Sequence, residues 1–274
     1  MVDISIVIVN YNTAHPLKNC LTSIYRNSKN LTLEIIVIDN ASTDQSISLV
    51  EKSFPRVTLI KNKKNLLYSK ANNQGLRKAS GRYFLVLNPD TVIRNNTLSA
   101  MVEFLDQDPS ISLASCREID KEGKTILTCH KTPTPLTEFF ELRIFAKFFK
   151  NSSLIKEFRY KGWDRETIRD VDTLPGSFLF GRKEVLKKIG YFDEHLPLFY
   201  SDTDLCKRAK DKGLKLYHNG TVTITHLCAQ SLGQFPMNTI LMQSLRDMLY
   251  FHKKHYGVFW SRILFLFARF SLLL

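Results

Sequence analysis

The chain has few cysteines, and they do not form metal-binding or redox pairs. Its five cysteines are odd in number and widely spaced: Cys20, Cys116, Cys129, Cys206 and Cys228. Without a Cys-x-x-Cys pair, the spacing argues against a zinc site and against a disulfide framework. We therefore expect a protein of the reducing cytosol. The N-terminus leads directly into a strand-like run and lacks the pattern of a secretory signal peptide.

Glycine-rich nucleotide-binding motifs are also missing. The chain has 11 glycines among 274 residues, with no GxGxxG after the first strand-like run and no GxxxxGK(S/T) anywhere. This absence argues against a dinucleotide-binding protein and against a P-loop enzyme. Internal repeats and low-complexity runs are absent too.

No apolar run is long and uninterrupted enough to predict a membrane-spanning helix. The most apolar segment, residues 258–274, contains Arg262 and Arg269 on one predicted helix face, and charged side chains are costly inside a bilayer. One interpretation is an interfacial helix on an anionic membrane. Its lipid-facing residues would be Ile263, Leu264, Phe267, Phe270 and Leu274. The alternative is a helix that packs on protein.

Acidic residues are outnumbered by basic ones. Lys and Arg total 39 against 26 Asp and Glu, which gives a formal net charge of +13. Such a balance favours an anionic partner, whether nucleic acid, a phosphate ligand or an acidic membrane face. The aromatic and basic stretch at residues 139–150 is predicted to be a helix packed on the core, with a membrane or acceptor contact as the alternative.

The first hundred residues alternate apolar strands with amphipathic helices. Strands are predicted at 4–9, 34–38, 57–60 and 83–87, and helices at 17–28, 44–54, 68–80 and 97–107. This order predicts an α/β fold with a Rossmann-like, mostly parallel central sheet flanked by helices. Further along, short strands are predicted at 111–117, 176–180, 215–217 and 222–225, and helices at 183–189 and 202–212.

Three of the predicted strands end in amide or carboxylate side chains. The residues concerned are Asn10 and Asn12, then Asp39, Asn40 and Asp44, then Asn88 and Asp90. Any one of them is explained by turn chemistry. Three strand ends together predict a polar ligand site at the carboxyl edge of a parallel sheet. Carboxylates there can hold Mg²⁺ or Mn²⁺ bridging a diphosphate.

Two further positions could carry chemistry. Asp202 and Asp204 lie at a predicted helix start, where a carboxylate acts as a cap by default but can serve as a general base at a pocket edge. We expect only Asp202 to face a pocket. His226 follows an apolar strand and becomes a plausible ligand beside a metal and a diphosphate.

Taken in order, these residues resemble glycosyltransferase family 2, whose members have the GT-A fold. The resemblance spans about residues 4–231. It is carried by Val9-Asn10-Tyr11-Asn12, residues 37–44, Asn72-Asn73, Leu87-Asn88-Pro89-Asp90-Thr91, residues 174–177, residues 190–194, residues 202–206 and His226. The Asn-Pro-Asp triplet at 88–90 is similar to the rhamnosyltransferase-like branch of that family.

The resemblance implies an inverting transfer of a sugar from a nucleotide-diphosphate donor to a hydroxyl group, with Mg²⁺ or Mn²⁺. Asp202 would be the general base, Asp90 and His226 would hold the metal, and Gly176 and Ser177 would lie on the acceptor side. The donor would contact Asn10, Asn12, Asp39, Asn40, Asp44, Asn73 and Asn88. The family often has Glu-Asp where this chain has Ser201-Asp202, so the base lacks a neighbouring carboxylate that would raise its pKa.

The expected organisation is a GT-A domain over residues 1–231, with a nucleotide-sugar half at about 1–110 and an acceptor half at about 111–231. A helical, membrane-associated extension would follow at 232–274. The expected setting is the cytoplasmic face of the plasma membrane, with rhamnose from dTDP-rhamnose moved to a lipid-linked or growing glycan and no nucleic acid as partner. The alternatives are a metal-dependent nucleotidyl or phosphoryl transferase, or a basic nucleic-acid-binding module.

Overall fold

The fold is a large α/β sheet covered by helices on both faces. It is described here from a computed structural model covering residues 1–28, 30–228 and 232–273, without the side chains of Arg143, Leu232 and residues 270–273. The strands are β1 Ile4–Asn10, β2 Leu33–Asp39, β3 Thr58–Lys61, β4 Tyr83–Leu87, β5 Thr91–Ile93, β6 Ile111–Ile119, β7 Ile168–Asp170, β8 Phe178–Arg182 and β9 Lys215–His226.

Eleven α-helices accompany these strands in the described part of the chain. They are α1 Ala14–Arg26, α2 Ser46–Ser53, α3 Leu67–Lys78, α4 Thr97–Gln107, α5 Pro135–Glu141, α6 Arg143–Phe149, α7 Ser153–Phe158, α8 Lys183–Ile189, α9 Ser201–Asp211, α10 Met237–Tyr256 and α11 Val258–Leu273. A short 3₁₀ turn, Leu232–Gln234, precedes α10.

The strand order is β3-β2-β1-β4-β8-β6-β9-β5, with β7 paired to β9 outside this path. The strands β1, β2, β3, β4, β6 and β9 run in one direction, and β5, β7 and β8 run against them. The mostly parallel sheet predicted from the sequence is therefore confirmed. Both predicted halves of the chain contribute to this one sheet.

Alternation along the strands explains why both faces of the sheet are covered. In β1, Ile6 and Ile8 pack with α1 and α4 on one face, whereas Val7 packs with α3, α8 and α9 on the other. Successive side chains of a strand point to opposite faces, so a continuous apolar run marks a strand buried on both. The run at residues 4–9 predicted this strand for that reason.

Several element boundaries differ from the predictions. The two strands predicted at 215–217 and 222–225 form one strand, β9. Asn219-Gly220 interrupts the apolar pattern between them, and the pairing of β9 with β6 shifts register at that point. The helix predicted within residues 139–150 is two short helices, α5 and α6. The short strands β5 and β7 were not predicted, and helix α10 was predicted only as part of the helical extension at 232–274 and not as a separate element.

The predicted C-terminal helical extension is present as α10 and α11, and the packing of α11 agrees with the second of the two interpretations, a helix that packs on protein. Leu264 is buried, and the Phe267 ring lies 4.8 Å from the Phe139 ring of α5. The first interpretation placed these residues against lipid. They pack on protein instead, because α10 and α5 present an apolar groove to them. Phe270 and Leu274, predicted for the same face, and the predicted boundary at 231 lie outside what the structure describes.

The face of α11 that points away from the protein is a different one. Its exposed residues include Val258, Phe259, Arg262, Phe265 and Leu266. Within residues 1–28, 30–228 and 232–273, no helix combines the length and the apolar character needed to cross a bilayer.

Candidate active site

A cavity of about 440 Å³ lies at the carboxyl edge of the parallel strands. It is bordered by the ends of β1, β4 and β9, the loop before β8 and the first turn of α9. Of the residues predicted for a site, seven line it: Asn40, Asn88, Asp90, Gly176, Ser177, Asp202 and His226. The polar strand ends therefore meet at this edge of the sheet, as the sequence predicted. We call this space the first cavity.

Asp202 enters the first cavity from the first turn of α9. Its Oδ2 accepts a hydrogen bond from the Gly176 backbone N–H at 2.8 Å, and the Gly176 carbonyl accepts one from the Tyr68 hydroxyl at 2.8 Å. A Cβ atom at residue 176 would lie 2.6 Å from the Tyr68 hydroxyl and 3.2 Å from Asp202 Oδ2. Glycine is therefore required here for close approach, and it holds the carboxylate in place.

Tyr68 was not predicted as a site residue. Burial raises its pKa well above the ordinary value, and the nearby Asp202 carboxylate adds to the rise. The Tyr68 phenol therefore stays neutral at physiological pH and acts as a hydrogen-bond donor to the Gly176 peptide.

A second group of ionisable residues forms a line that leads from the lining of the first cavity into the buried protein. His226 Nδ1 lies 2.6 Å from Glu118 Oε2, and His226 Nε2 lies 3.3 Å from Asp90 Oδ1. The other Glu118 oxygen accepts a hydrogen bond from the Ser177 hydroxyl. Glu118 is almost fully buried. The line therefore joins Ser177, which was predicted for the acceptor side, to the predicted metal ligands Asp90 and His226.

The electrostatics of this line require a positive charge at its centre. Burial alone would lower the pKa of His226, but the nearby Asp90 and Glu118 carboxylates outweigh it and raise that pKa to about 10. His226 Nε2 is buried and makes no well-aligned hydrogen bond within the described part of the chain. An unprotonated Nε2 would place its lone pair 3.3 Å from the Asp90 carboxylate oxygen, and this repulsion is relieved by a proton on Nε2.

Glu118 was missed because the strand was predicted to end at residue 117. It lies near the end of β6, one residue before the buried Ile119. A carboxylate between the apolar residues Cys116 and Ile119 of a strand is unusual, since charged side chains are rarely buried without a partner. That pattern was the signal that could have identified it.

The other predicted donor residues build the loops around the first cavity rather than its lining. Asn10 Nδ2 donates to Asp39 Oδ1 at 3.1 Å, and Asp39 Oδ2 accepts from the Ser42 backbone N–H at 2.9 Å. Asn12 Oδ1 accepts from the Thr43 backbone N–H, and Asp44 Oδ2 accepts from that of Ala14. These bonds tie the loop after β1 to the loop after β2.

Asn73, also predicted for the donor side, lies beneath the cavity in α3. Its amide nitrogen donates to the Phe192 carbonyl at 2.9 Å, and its amide oxygen accepts from the Phe192 N–H at 3.0 Å. Both ends of the side chain are thus engaged with the loop after α8. The structure assigns Asn73 a role in fixing that loop.

The charged side chains among the described residues that line the first cavity are Asp90, Asp202 and His226. Lys and Arg do not occur in this set. An anionic ligand such as a diphosphate would therefore meet the Asp90 and Asp202 carboxylates, which His226, with its raised pKa, offsets only in part. A divalent cation would supply the missing charge.

Helix α10 holds the segment that carries Asp202, although the sequence pattern did not predict this helix as a separate element. The Asp247 carboxylate accepts hydrogen bonds from the backbone N–H groups of Phe199 at 2.8 Å and Leu198 at 3.3 Å. Burial raises the pKa of Asp247. Leu198 and Phe199 line the first cavity, so α10 shapes the site from behind.

Asp204 points away from the first cavity, into an ion cluster between α9 and α10. Its carboxylate lies 2.8 Å from Arg208 Nε, 2.6 Å from Lys254 Nζ and 2.8 Å from His255 Nε2. Burial alone would raise the pKa of Asp204, but the hydrogen bonds and charges of His255, Arg208 and Lys254 outweigh it and lower that pKa. Asp202 and Asp204 thus have the separate placements that the helix geometry predicted.

We expect Asp204→Asn to destabilise the fold by about 1–3 kcal/mol, because the fully buried Asp204 carboxylate accepts charged hydrogen bonds from Arg208, Lys254 and His255 that an amide cannot all replace. The folded-state pKa of Asp204 lies below its ordinary value of 3.8. Its ionised form therefore stabilises the fold above that pH, and this stability is lost as the pH falls through the folded-state value. Urea denaturation of both proteins across the acidic range would measure it. A stability gap that stays constant down to the lowest pH would contradict this role.

Comparison with known sequences identifies relatives of the chain. The sequence profile described as "Glycosyl transferase family 2" matches residues 5–190. A low-salt glycan biosynthesis hexosyltransferase, Agl10 of Haloferax volcanii, is 25% identical over 228 residues, which is 82% of this chain and 67% of the relative. An N-acetylglucosaminyl-diphospho-decaprenol L-rhamnosyltransferase of Mycobacterium tuberculosis is 21% identical over 263 residues, which is 92% of this chain and 85% of the relative.

Comparison with solved structures supports the same fold. The mannosyltransferase PcManGT from Pyrobaculum calidifontis, solved in complex with GDP-Man and Mn²⁺, superimposes with a TM-score of 0.60 and 17% sequence identity. The match covers 98% of this chain and 73% of that structure. At this identity the likeness establishes the GT-A fold, in agreement with the expectation from the sequence.

Proposed function

The chain belongs to glycosyltransferase family 2, and from that premise we propose that it transfers a sugar, with inversion, from a nucleotide-diphosphate donor to a hydroxyl group of a growing or lipid-linked glycan. The observation that carries the proposal is the Asp202 carboxylate held by Gly176 at the edge of the first cavity. A carboxylate so placed can accept the proton of an incoming alcohol. Asp90 and His226 line the same cavity, and the buried Glu118 lies behind His226.

In the proposed reaction, Asp202 removes the proton from the acceptor hydroxyl as its oxygen attacks the anomeric carbon. The bond between that carbon and the diphosphate breaks, and the nucleoside diphosphate leaves with the bonding electrons. Attack opposite to the leaving group inverts the anomeric carbon. Tyr68 and Gly176 keep Asp202 oriented throughout, which lowers the entropic cost of reaching this geometry.

A divalent cation fits the residues present. Asp90 offers a carboxylate oxygen and His226 a ring nitrogen, 3.3 Å apart, and Glu118 holds the other ring nitrogen. Such a carboxylate partner fixes the tautomer of a metal-binding histidine. No three His, Cys, Asp or Glu side chains form a complete cage in the part of the chain that the structure describes. Asp90 and His226 would thus share the ion with donor phosphates. Bound there, the cation would offset the charge of the leaving diphosphate.

The proposed donor is dTDP-rhamnose, and the metal Mn²⁺ or Mg²⁺. The rhamnose proposal is supported by the Asn88-Pro89-Asp90 triplet and by the name of the mycobacterial relative. That name also supports a lipid-linked acceptor. A mixed carboxylate and imidazole set fits Mn²⁺ better than Mg²⁺, because Mg²⁺ favours oxygen ligands.

Thermal denaturation with a panel of nucleotide sugars tests this function. We expect dTDP-rhamnose to raise the melting temperature by roughly 5 °C or more when Mn²⁺ is present and the ligand far exceeds its Kd. UDP-N-acetylglucosamine and GDP-mannose serve as alternative donors. If no nucleotide sugar stabilises the protein with either metal, the proposed function is wrong.

We further propose that the protein works on an anionic membrane face, at the cytoplasmic side of the plasma membrane. The support is the exposed surface of α11, where Phe259 is 68% exposed and Phe265 is 49% exposed beside Arg262 and Arg269. No acidic residue occurs in α11. A mixed apolar and basic helix face is typical of interfacial binding, and each arginine near the surface contributes about 1 kcal/mol.

Liposome co-sedimentation tests this placement. We expect binding to vesicles that contain phosphatidylglycerol, weakening with salt, and a large loss in the Phe259→Ser/Phe265→Ser double variant. Ile168→Ser is the matched control, because Ile168 is 48% exposed on β7. Substitution is preferable to deleting α11, since deletion would expose the apolar residues beneath it. Equal binding of the double variant and the control would contradict the proposal.

A further inference from the structure

A second cavity, of about 390 Å³, lies on the other side of the segment that carries Asp202. Phe199 lines both cavities. Ser201 and Asp202 face the first cavity, whereas Tyr200 and Thr203 face the second. The first turn of α9 thus separates the two spaces, and the proposed base stands at their division.

The walls of the second cavity are firmly built. The buried Arg165 guanidinium donates hydrogen bonds to backbone carbonyls of Thr128, Cys129, Arg159, Tyr160 and Trp163. Three lining residues, Cys129, Arg165 and Tyr200, have φ angles of 62°, 65° and 57°. This left-handed conformation is costly for residues other than glycine. Its repetition around one cavity indicates that the surrounding fold maintains the shape.

The charges in the second cavity favour a neutral ligand rather than an anion. Arg165 is engaged with carbonyls, and Arg159 forms a salt bridge with Glu141. The second carboxylate of the lining, Glu138, is 8% exposed and lies 3.9 Å from His252 Nε2. The two guanidinium groups, Arg159 and Arg165, are thus matched by two carboxylates, Glu138 and Glu141, and this balance provides no excess positive charge to attract a phosphate.

The remaining polar groups suit the hydroxyl groups of a sugar. Burial, with the charge of Glu138 and a hydrogen bond to it, holds the pKa of Tyr200 well above its ordinary value. Its phenol therefore stays neutral. Phe158 and Phe199 add aromatic surface. Carboxylate and phenol oxygens beside aromatic rings can hydrogen-bond a sugar and cover its apolar face.

We infer that the second cavity binds a neutral sugar unit of the acceptor, on the other side of the first turn of α9 from the hydroxyl that Asp202 deprotonates. The inference rests on the proposed function and adds a site to it. Helix α5 supplies Glu138 and Glu141 to the cavity, while Phe139 of the same helix packs against Phe267 of α11. A lipid-linked acceptor could thus place its sugar on one side of α5 and its lipid towards α11.

Saturation-transfer NMR with methyl glycosides tests the inference without needing a donor. The probes are the methyl glycosides of glucose, galactose, mannose, rhamnose and N-acetylglucosamine. We expect at least one to receive saturation from the wild-type protein, and Leu127→Trp to lose most of it. Leu127 lines the cavity and is 71% exposed, so a larger side chain there narrows the entrance without disturbing the core. Leu136→Trp is the matched control, since Leu136 is 52% exposed on α5 and does not line the cavity.

Glu138→Gln gives a second, isosteric test. It keeps the size of the side chain but removes the charge, and we expect about tenfold weaker glycoside binding. Saturation that is unchanged in both Leu127→Trp and Glu138→Gln, or absent for every glycoside with wild-type protein, overturns the inference. Failure of the proposed function would give a different result, namely that no nucleotide sugar raises the melting temperature of the protein.

Discussion

Asp202→Asn is expected to reduce transfer by about 10²–10⁴-fold, the usual cost of losing a general base, while nucleotide-sugar binding stays near that of the wild type. Asparagine has nearly the same shape as aspartate but cannot take up the proton of the acceptor hydroxyl. Its amide oxygen can still accept the Gly176 N–H that now reaches Asp202 Oδ2 at 2.8 Å. The side chain should therefore remain in place while the proton transfer fails.

The expected cost to folding is small. Asp202 Oδ1 also accepts the Thr203 N–H at 2.8 Å, and an amide nitrogen cannot replace that acceptor. The loss resembles that of a helix cap, about 0.5–2 kcal/mol. Melting curves of Asp202→Asn and wild type should confirm that both are folded at the assay temperature.

Asp211→Asn is the matched control for this experiment. Asp211 ends the same helix, where it forms an exposed pair with Lys207, and its loss should leave transfer unchanged. The readouts are the initial rate of transfer and the thermal shift by donor with Mn²⁺. A folded Asp202→Asn that transfers sugar within a few-fold of the wild-type rate would show that another group takes the proton.

The sequence was most informative where strands are buried on both faces. Continuous apolar runs identified β1, β2 and β4, and the polar residues after them meet because parallel neighbours end at one edge. Asn40, Asn88 and Asp90 all line the first cavity as a result. Asn10 and Asp39 share that edge but bond to each other. The position of a residue at a strand end predicts that it lies near the other strand ends. It does not predict which of these side chains faces the ligand.

Contacts between distant segments were the part that local patterns could not show. Glu118 meets His226 because β6 pairs with β9 in parallel, a pairing that depends on the whole sheet. Asp247 and Lys254 reach the start of α9 only because α10 packs behind it. Lipid and protein both stayed open as partners for the apolar face of α11, because periodicity alone does not say which of the two a helix face packs on.

Asp90→Asn is expected to abolish detectable transfer and the Mn²⁺-dependent part of nucleotide binding. The substitution keeps the side-chain shape and removes one of the two carboxylates beside His226. Among the described residues that line the first cavity, no Lys or Arg could hold the diphosphate instead. The backbone carbonyl of Asp90, which accepts the Leu227 N–H at 2.9 Å, is untouched, so the β4–β5 turn should stay folded.

Glu118→Gln should give an intermediate result, because Glu118 acts through His226 rather than on the ion. Removing such a carboxylate partner typically weakens metal binding by about 10–100-fold. Glu122→Gln is the control, since the Glu122 side chain is 64% exposed. Isothermal titration of nucleoside diphosphate with and without Mn²⁺ should therefore rank Glu122→Gln with wild type, then Glu118→Gln, then Asp90→Asn. Mn²⁺-dependent binding that is unchanged in folded Asp90→Asn would refute the role of Asp90. A Glu118→Gln protein that binds like the control would show that contacts other than Glu118 orient His226.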